Sequence, residues 1–163
     1  MNTMFRMLLI ACLVLPFAAC KKEEAAKVEV VSAPLSAPTT DDLPAWRAYV
    51  TDVAKRNMDG ITNSPFVYFL PAESTEGFGG QYERQLEKLE ADLSRGIIAG
   101  NMLVFASPSS SKMSELATVA FQQVGQGTMK GVKVLFVGNA ADSEKVKAAA
   151  EPAGVDYIFV EAK

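Results

Sequence analysis

The sequence predicts an α/β domain: a small, mostly parallel four-stranded sheet in the order βαβαβαβ, with crossover helices and an extra N-terminal helix. Two observations carry this. Four short apolar runs, Phe66–Leu70, Met102–Ala106, Val132–Val137 and Tyr157–Val160, lack polar alternation and read as strands covered on both faces. Between them stand three segments with helical character, each just long enough to cross back over a sheet.

The first helix is expected from Asp42 to Asp59. Asp41 and Asp42 supply an N-cap, Pro44 suits a first turn, and Gly60 stops it. Leu43, Trp46, Val50, Val53 and Asn57/Met58 recur at helical spacing and form one apolar stripe. This helix is expected to cover the face that the three crossovers leave thin, with Trp46 and Tyr49 packing inward. The second helix runs over Gln81–Arg95, with Tyr82, Leu86, Leu89 and Leu93 on one side and Gly96 as its stop. The third runs over Lys112–Val124, with Met113, Leu116, Ala120, Phe121 and Val124 inward. Asp142 is expected to cap a last helix that reaches Glu151 and ends at Pro152-Ala153-Gly154. The predicted core is Phe66, Tyr68, Leu103, Phe105, Leu135, Val137, Ile158 and Phe159, split between the two faces of the sheet. The segment from Val132 to Val160 resembles the last βαβ unit of many flavodoxin-like and thioredoxin-like domains, without a motif that selects one.

The N-terminus states where the chain goes. Arg6 is followed by an apolar block from Met7 to Phe17, too short to span a bilayer, which needs about 20 apolar residues. It ends in Phe17-Ala18-Ala19-Cys20 and then in the charged run Lys21-Lys22-Glu23-Glu24. This junction resembles the lipobox of bacterial lipoproteins. The resemblance implies that the Cys20 thiol is diacylated and the chain cut before it. Lys21 after the cysteine, rather than Asp, resembles the Gram-negative sorting pattern, and in that envelope type implies delivery to the outer membrane, facing the periplasm. Residues 1–19 then form a removed signal peptide, residues 20–40 an acylated, flexible tether, and residues 41–163 a single α/β domain. The tether is rich in Pro, Ser and Ala. As a coil it spans roughly 25 Å, and at full extension about 70 Å.

Composition excludes more than any motif includes. The chain has no histidine and two cysteines, Cys12 in the signal and Cys20 at the anchor. Ser-His-Asp and Cys-His mechanisms therefore cannot be built, nor can the usual Cys/His zinc site. The folded domain has no disulfide to rely on and depends on its apolar core. The formal charge of −3 becomes −4 once Arg6 leaves, with no basic stripe, so no nucleic-acid partner is expected. No cofactor and no metal are called for.

In parallel sheets ligands gather beyond the carboxyl ends of the strands. The loops expected there carry Glu73, Glu76 and Phe78 after the first strand, Ser109, Ser110, Ser111 and Lys112 after the second, and Asn139 after the third. The serine loop and Lys112 can hold an anion at a helix N-terminus, or the serines can simply cap that helix. The pair Glu73 and Glu76 reads as a solvated acidic loop. Phe78 sits among Gly77, Gly79 and Gly80, either as an exposed anchor for a partner or folded onto its own core. Ser109–Lys112 also fits S-x-x-K, but the SDN and KTG companions of penicillin-binding enzymes are missing.

Taken together, these features read as a non-enzymatic module, held by lipid on Cys20 in the bacterial envelope and docking an envelope or secreted protein. The alternatives are an immunity-type lipoprotein that neutralises a secreted effector, and a small-ligand, anion-binding or enzymatic domain using the strand-end loops.

Overall fold

The computed structural model describes residues 33–163; the signal peptide, Cys20 and the first part of the tether lie outside them. Helix α1, Leu43–Arg56, starts where the Asp42 carboxylate accepts a hydrogen bond from the Ala45 N–H at 3.0 Å. Pro44 occupies its first turn, and Lys55 and Arg56 sit in its last, where they complement the helix dipole. The helix ends three residues before the expected Asp59. The Lys133 ammonium donates to the carbonyls of Asn57 at 3.0 Å and Asp59 at 2.7 Å, fastening that end to the sheet.

Four strands follow: β1 Phe66–Phe69, β2 Met102–Ala106, β3 Lys133–Gly138 and β4 Asp156–Glu161. They alternate with α2 Phe78–Ser94, α3 Ser110–Phe121 and α4 Ala140–Ala150, the last continued by a 3₁₀ turn over Glu151–Ala153. All pairings are parallel and the order is β1-β2-β3-β4. The chain is thus the α/β fold expected, with its extra helix before β1.

That strand order has a consequence for the layers. Each crossover steps one strand in the same direction, so a constant hand places α2, α3 and α4 on one face. Packing agrees: Tyr68, Leu103, Phe105, Val134 and Phe136 meet Leu89 of α2, Met113, Leu116 and Phe121 of α3, and Val146 and Ala150 of α4. The intervening strand residues, Met102, Val104, Ala106, Leu135 and Val137, meet Trp46, Tyr49, Val50, Val53 and Ala54 of α1. Trp46 and Tyr49 pack inward, as expected. Period-two alternation divides one run of apolar residues between two cores.

Several expectations are corrected. Helix α2 begins at Phe78, not Gln81, because Gly77 adopts φ +72° and its carbonyl accepts the Gln81 N–H, which turns the chain into the helix early. Helix α3 begins at Ser110 and ends at Phe121, short of Val124. Asp142 lies within the first turn of α4, and Asn139 holds the N-cap position. Phe159 is exposed at 36%. It stands on edge strand β4, where cover from the helix layer reaches Tyr157 but not two residues further. Phe66 and Ile158 are half-buried at the two edges, while the other five predicted core residues are fully enclosed.

Candidate functional site

The loops after β1, β2 and β3 meet at one end of the sheet and are joined by serine hydroxyls. The Ser107 hydroxyl accepts from the Ser109 N–H at 2.9 Å and donates to the Pro71 carbonyl at 3.4 Å. The Ser109 hydroxyl accepts from the Glu73 N–H at 2.8 Å, and that of buried Ser110 from the Asn139 N–H at 2.9 Å. Ser114, one turn into α3, donates to the Asp142 carbonyl at 3.1 Å. The Ser107, Ser109 and Ser110 hydroxyls bridge neighbouring strand-to-helix segments and that of Ser114 joins α3 to α4; the Ser109 side chain does not cap its own helix.

Lys112 stands 3.3 Å from the Glu115 carboxylate and 3.5 Å from that of Glu73. The hydrogen bond and charge of Glu115, with the charge of Glu73, hold the ammonium above the ordinary lysine value. One cation between two carboxylates does not make a surplus of positive charge, which works against an anion pocket here.

The structure therefore brings together Glu73, Ser109, Ser110, Lys112 and Asn139. Glu76, on the loop after β1, and Ser111, in the first turn of α3, lie exposed beside them. Phe78 does not stand out as an anchor. It is half-buried against the helix-side core, with its ring 6.3 Å from that of Tyr82 one turn along α2. Its i, i+4 spacing from Tyr82 becomes effective once the helix starts at Phe78. Among the described residues no three His, Cys, Asp or Glu side chains are grouped so as to hold a metal ion. None of their helices is long and apolar enough to cross a membrane.

A steadily advancing strand order also changes what the loop end offers. The crevice that binds ligands in doubly wound sheets forms where the strand order reverses, and here it never does. What remains is a cleft of about 410 Å³ on the α1 side, lined by Trp46, Ser107, Ser110, Gly138 and Asn139 and bordered by Ala37–Thr39. A wider groove of about 700 Å³ lies away from these loops, between the C-terminal halves of α2 and α3. Apolar Leu93, Ile97, Ala120, Val124 and Met129 line it together with Glu87 and Glu90.

One constellation is not part of the sequence reading. Asp92 on α2, 5% exposed, accepts from the Tyr68 hydroxyl at 2.6 Å and from Lys88 at 2.7 Å, and is paired with Arg95. The Lys88 ammonium also lies 4.5 Å from the centre of the Tyr68 ring. Burial works to raise the Asp92 pKa, but the hydrogen bonds from Lys88 and Tyr68 and the nearby cations prevail and hold it below the ordinary value. Burial, reinforced by the bond to Asp92, drives the Tyr68 phenol far up. The signal lies in the spacing: Asp92 follows Leu89 by three, Lys88 by four, and precedes Arg95 by three. Its tie is structural, joining α2 to edge strand β1.

No family model, no curated protein and no solved structure matches this chain.

Proposed function

We propose that the chain is a lipid-anchored module of the bacterial envelope, facing the periplasm, that docks a protein partner. The observation that carries the proposal is the Phe17-Ala18-Ala19-Cys20 junction, where a short apolar block gives way to charge at a cysteine. Two or three acyl chains on Cys20 give stable anchoring where one is marginal. The loop end supports the docking part of the reading. It is braced by hydrogen bonds between its loops, so little ordering entropy is lost when a partner binds. Its outward groups are Glu73, Glu76, Ser111 and Asn139, and paired Lys112 favours a polar protein surface over a free anion. Phe78, packed on the core, takes no part.

Anchoring is tested by partition of the mature protein into detergent. Wild type enters the detergent phase, and Cys20→Ser leaves a soluble form or an uncut precursor. An intact mass showing an unmodified thiol at the mature N-terminus refutes the anchor. Docking is tested in intact envelopes by photo-crosslinking from positions 76 and 111, with position 55 on the outer face of α1 as control. Adducts of one defined mass from 76 and 111 alone support the loop end. Equal labelling from all three refutes it.

A further inference from the structure

The residues leading into α1 lie along the domain. The Leu35 N–H donates to the Asp52 carboxylate of α1 at 3.1 Å, and the Ala37 N–H donates to the Lys163 carbonyl beyond β4 at 3.0 Å. The Trp46 indole N–H donates to the Thr40 carbonyl at 2.9 Å. Trp46 is only 5% exposed, and Ala37, Pro38 and Thr39 border the cleft that it lines. The expected tether thus folds back over the domain from Ala33 onward.

This strap is thinly held. Leu35 is 50% exposed and only Ala37 packs into the α1-side core. A second cleft of about 330 Å³ runs beneath Pro34, Leu35 and Ser36, beside Asp52 and Val160. The strands behind it are each paired along their length in a parallel ladder. Elements with few buried contacts and solvent-exposed hydrogen bonds open at the low end of a protein's stability range.

We propose that Ala33–Thr40 is a latch. It closes the cleft over Trp46, and it is the first element to release when the chain ahead of it is drawn out. Tension on the tether acts on the strap one hydrogen bond at a time, whereas the sheet resists through many bonds together. Release uncovers Trp46 and Ser110, both buried while the strap is closed, so access to the cleft follows how far the tether is extended. The strap's contacts need no lipid on Cys20, so the latch is tested apart from the proposed anchor that loads it.

The test uses the unacylated mature chain, in which Cys20 is the one cysteine and serves as a handle. Pulled between Cys20 and a handle at Lys163, it should show a low-force step before global unfolding. That step releases no more than about 29 Å, eight residues at about 3.6 Å each. Because Trp46 is the only tryptophan, its emission reports the cover directly. Ala37→Pro removes the donor to Lys163, and should shift the emission to the red and raise acrylamide quenching while leaving the far-ultraviolet dichroism unchanged. A single all-or-none rupture of the wild-type chain overturns the latch, whatever the variant does. Unshifted, equally shielded Trp46 in a folded Ala37→Pro protein overturns the strap as the cover of the cleft.

Discussion

Replacing Asp92 by Ala should destabilise the domain through Tyr68 more than through the two cations. The Lys88 and Arg95 side chains are 52% and 72% exposed, so they return to water when the carboxylate is lost. Tyr68 is fully buried, and its hydroxyl is left without its acceptor. An orphaned buried hydroxyl costs about 1–3 kcal/mol, whereas removing one partner of a buried ion pair, so that the other charge is left buried and uncompensated, costs about 3–5 kcal/mol. The lower range is expected. Tyr68→Phe in the wild-type background removes a hydrogen bond to a charged group, a loss of about 1.5–3 kcal/mol. In the Asp92→Ala background the same change removes the orphan and should be neutral or stabilising. Urea unfolding of the four proteins, with a common slope, gives the coupling directly. Additivity within about 0.5 kcal/mol would refute the reasoning. Acid provides an independent check. Because the folded pKa of Asp92 is depressed, its stabilisation is fully present above the ordinary value of 3.8 and is lost as pH falls through the lower folded value. Asp92→Asn should therefore flatten the stability profile below about pH 4, and an unchanged acid limb would count against the assignment.

Two further outcomes follow from packing and from the loop braces. Phe105→Ala empties a site stacked 5.3 Å from Tyr68 and should cost about 3–5 kcal/mol, while Phe159→Ala, at 36% exposure, should cost under about 1 kcal/mol by the same denaturant assay. Equal losses would mean that the edge of β4 is covered after all. Ser110→Ala removes the acceptor of the Asn139 N–H and should cost about 0.5–1.5 kcal/mol, with faster amide exchange at Asn139 than at Val137; protection equal to wild type would show that the hydroxyl brace is dispensable.

The sequence by itself determined the class of fold, the four strands and the alternating helices. Those follow from local periods: continuous apolar runs for strands covered on both sides, three-and-four spacing for helices, and an aspartate with a nearby proline to start α1. Boundaries were less legible, because Gly77, Gly79 and Gly80 look like a hinge until the left-handed turn at Gly77 commits the chain to a helix. The rule for strand ends puts Glu73, Ser109, Ser110, Lys112 and Asn139 on neighbouring segments. It does not say how they are used, since a serine that caps its own helix and one that bridges to a neighbouring loop read alike. Phe159 reads as core by its neighbours, and only the strand order makes β4 an edge. The order β1-β2-β3-β4 was decided by tertiary packing alone. It places three helices on one face and α1 on the other, and removes the reversal at which a ligand crevice would form. Asp92 and the strap belong to the same category: a carboxylate among charged neighbours and a run of Pro, Ser and Ala acquire partners only when Tyr68, Asp52 and Lys163, distant in the chain, are brought beside them. Local spacing sets what each segment can be, whereas contacts between distant residues arise from a global minimum that no local pattern encodes.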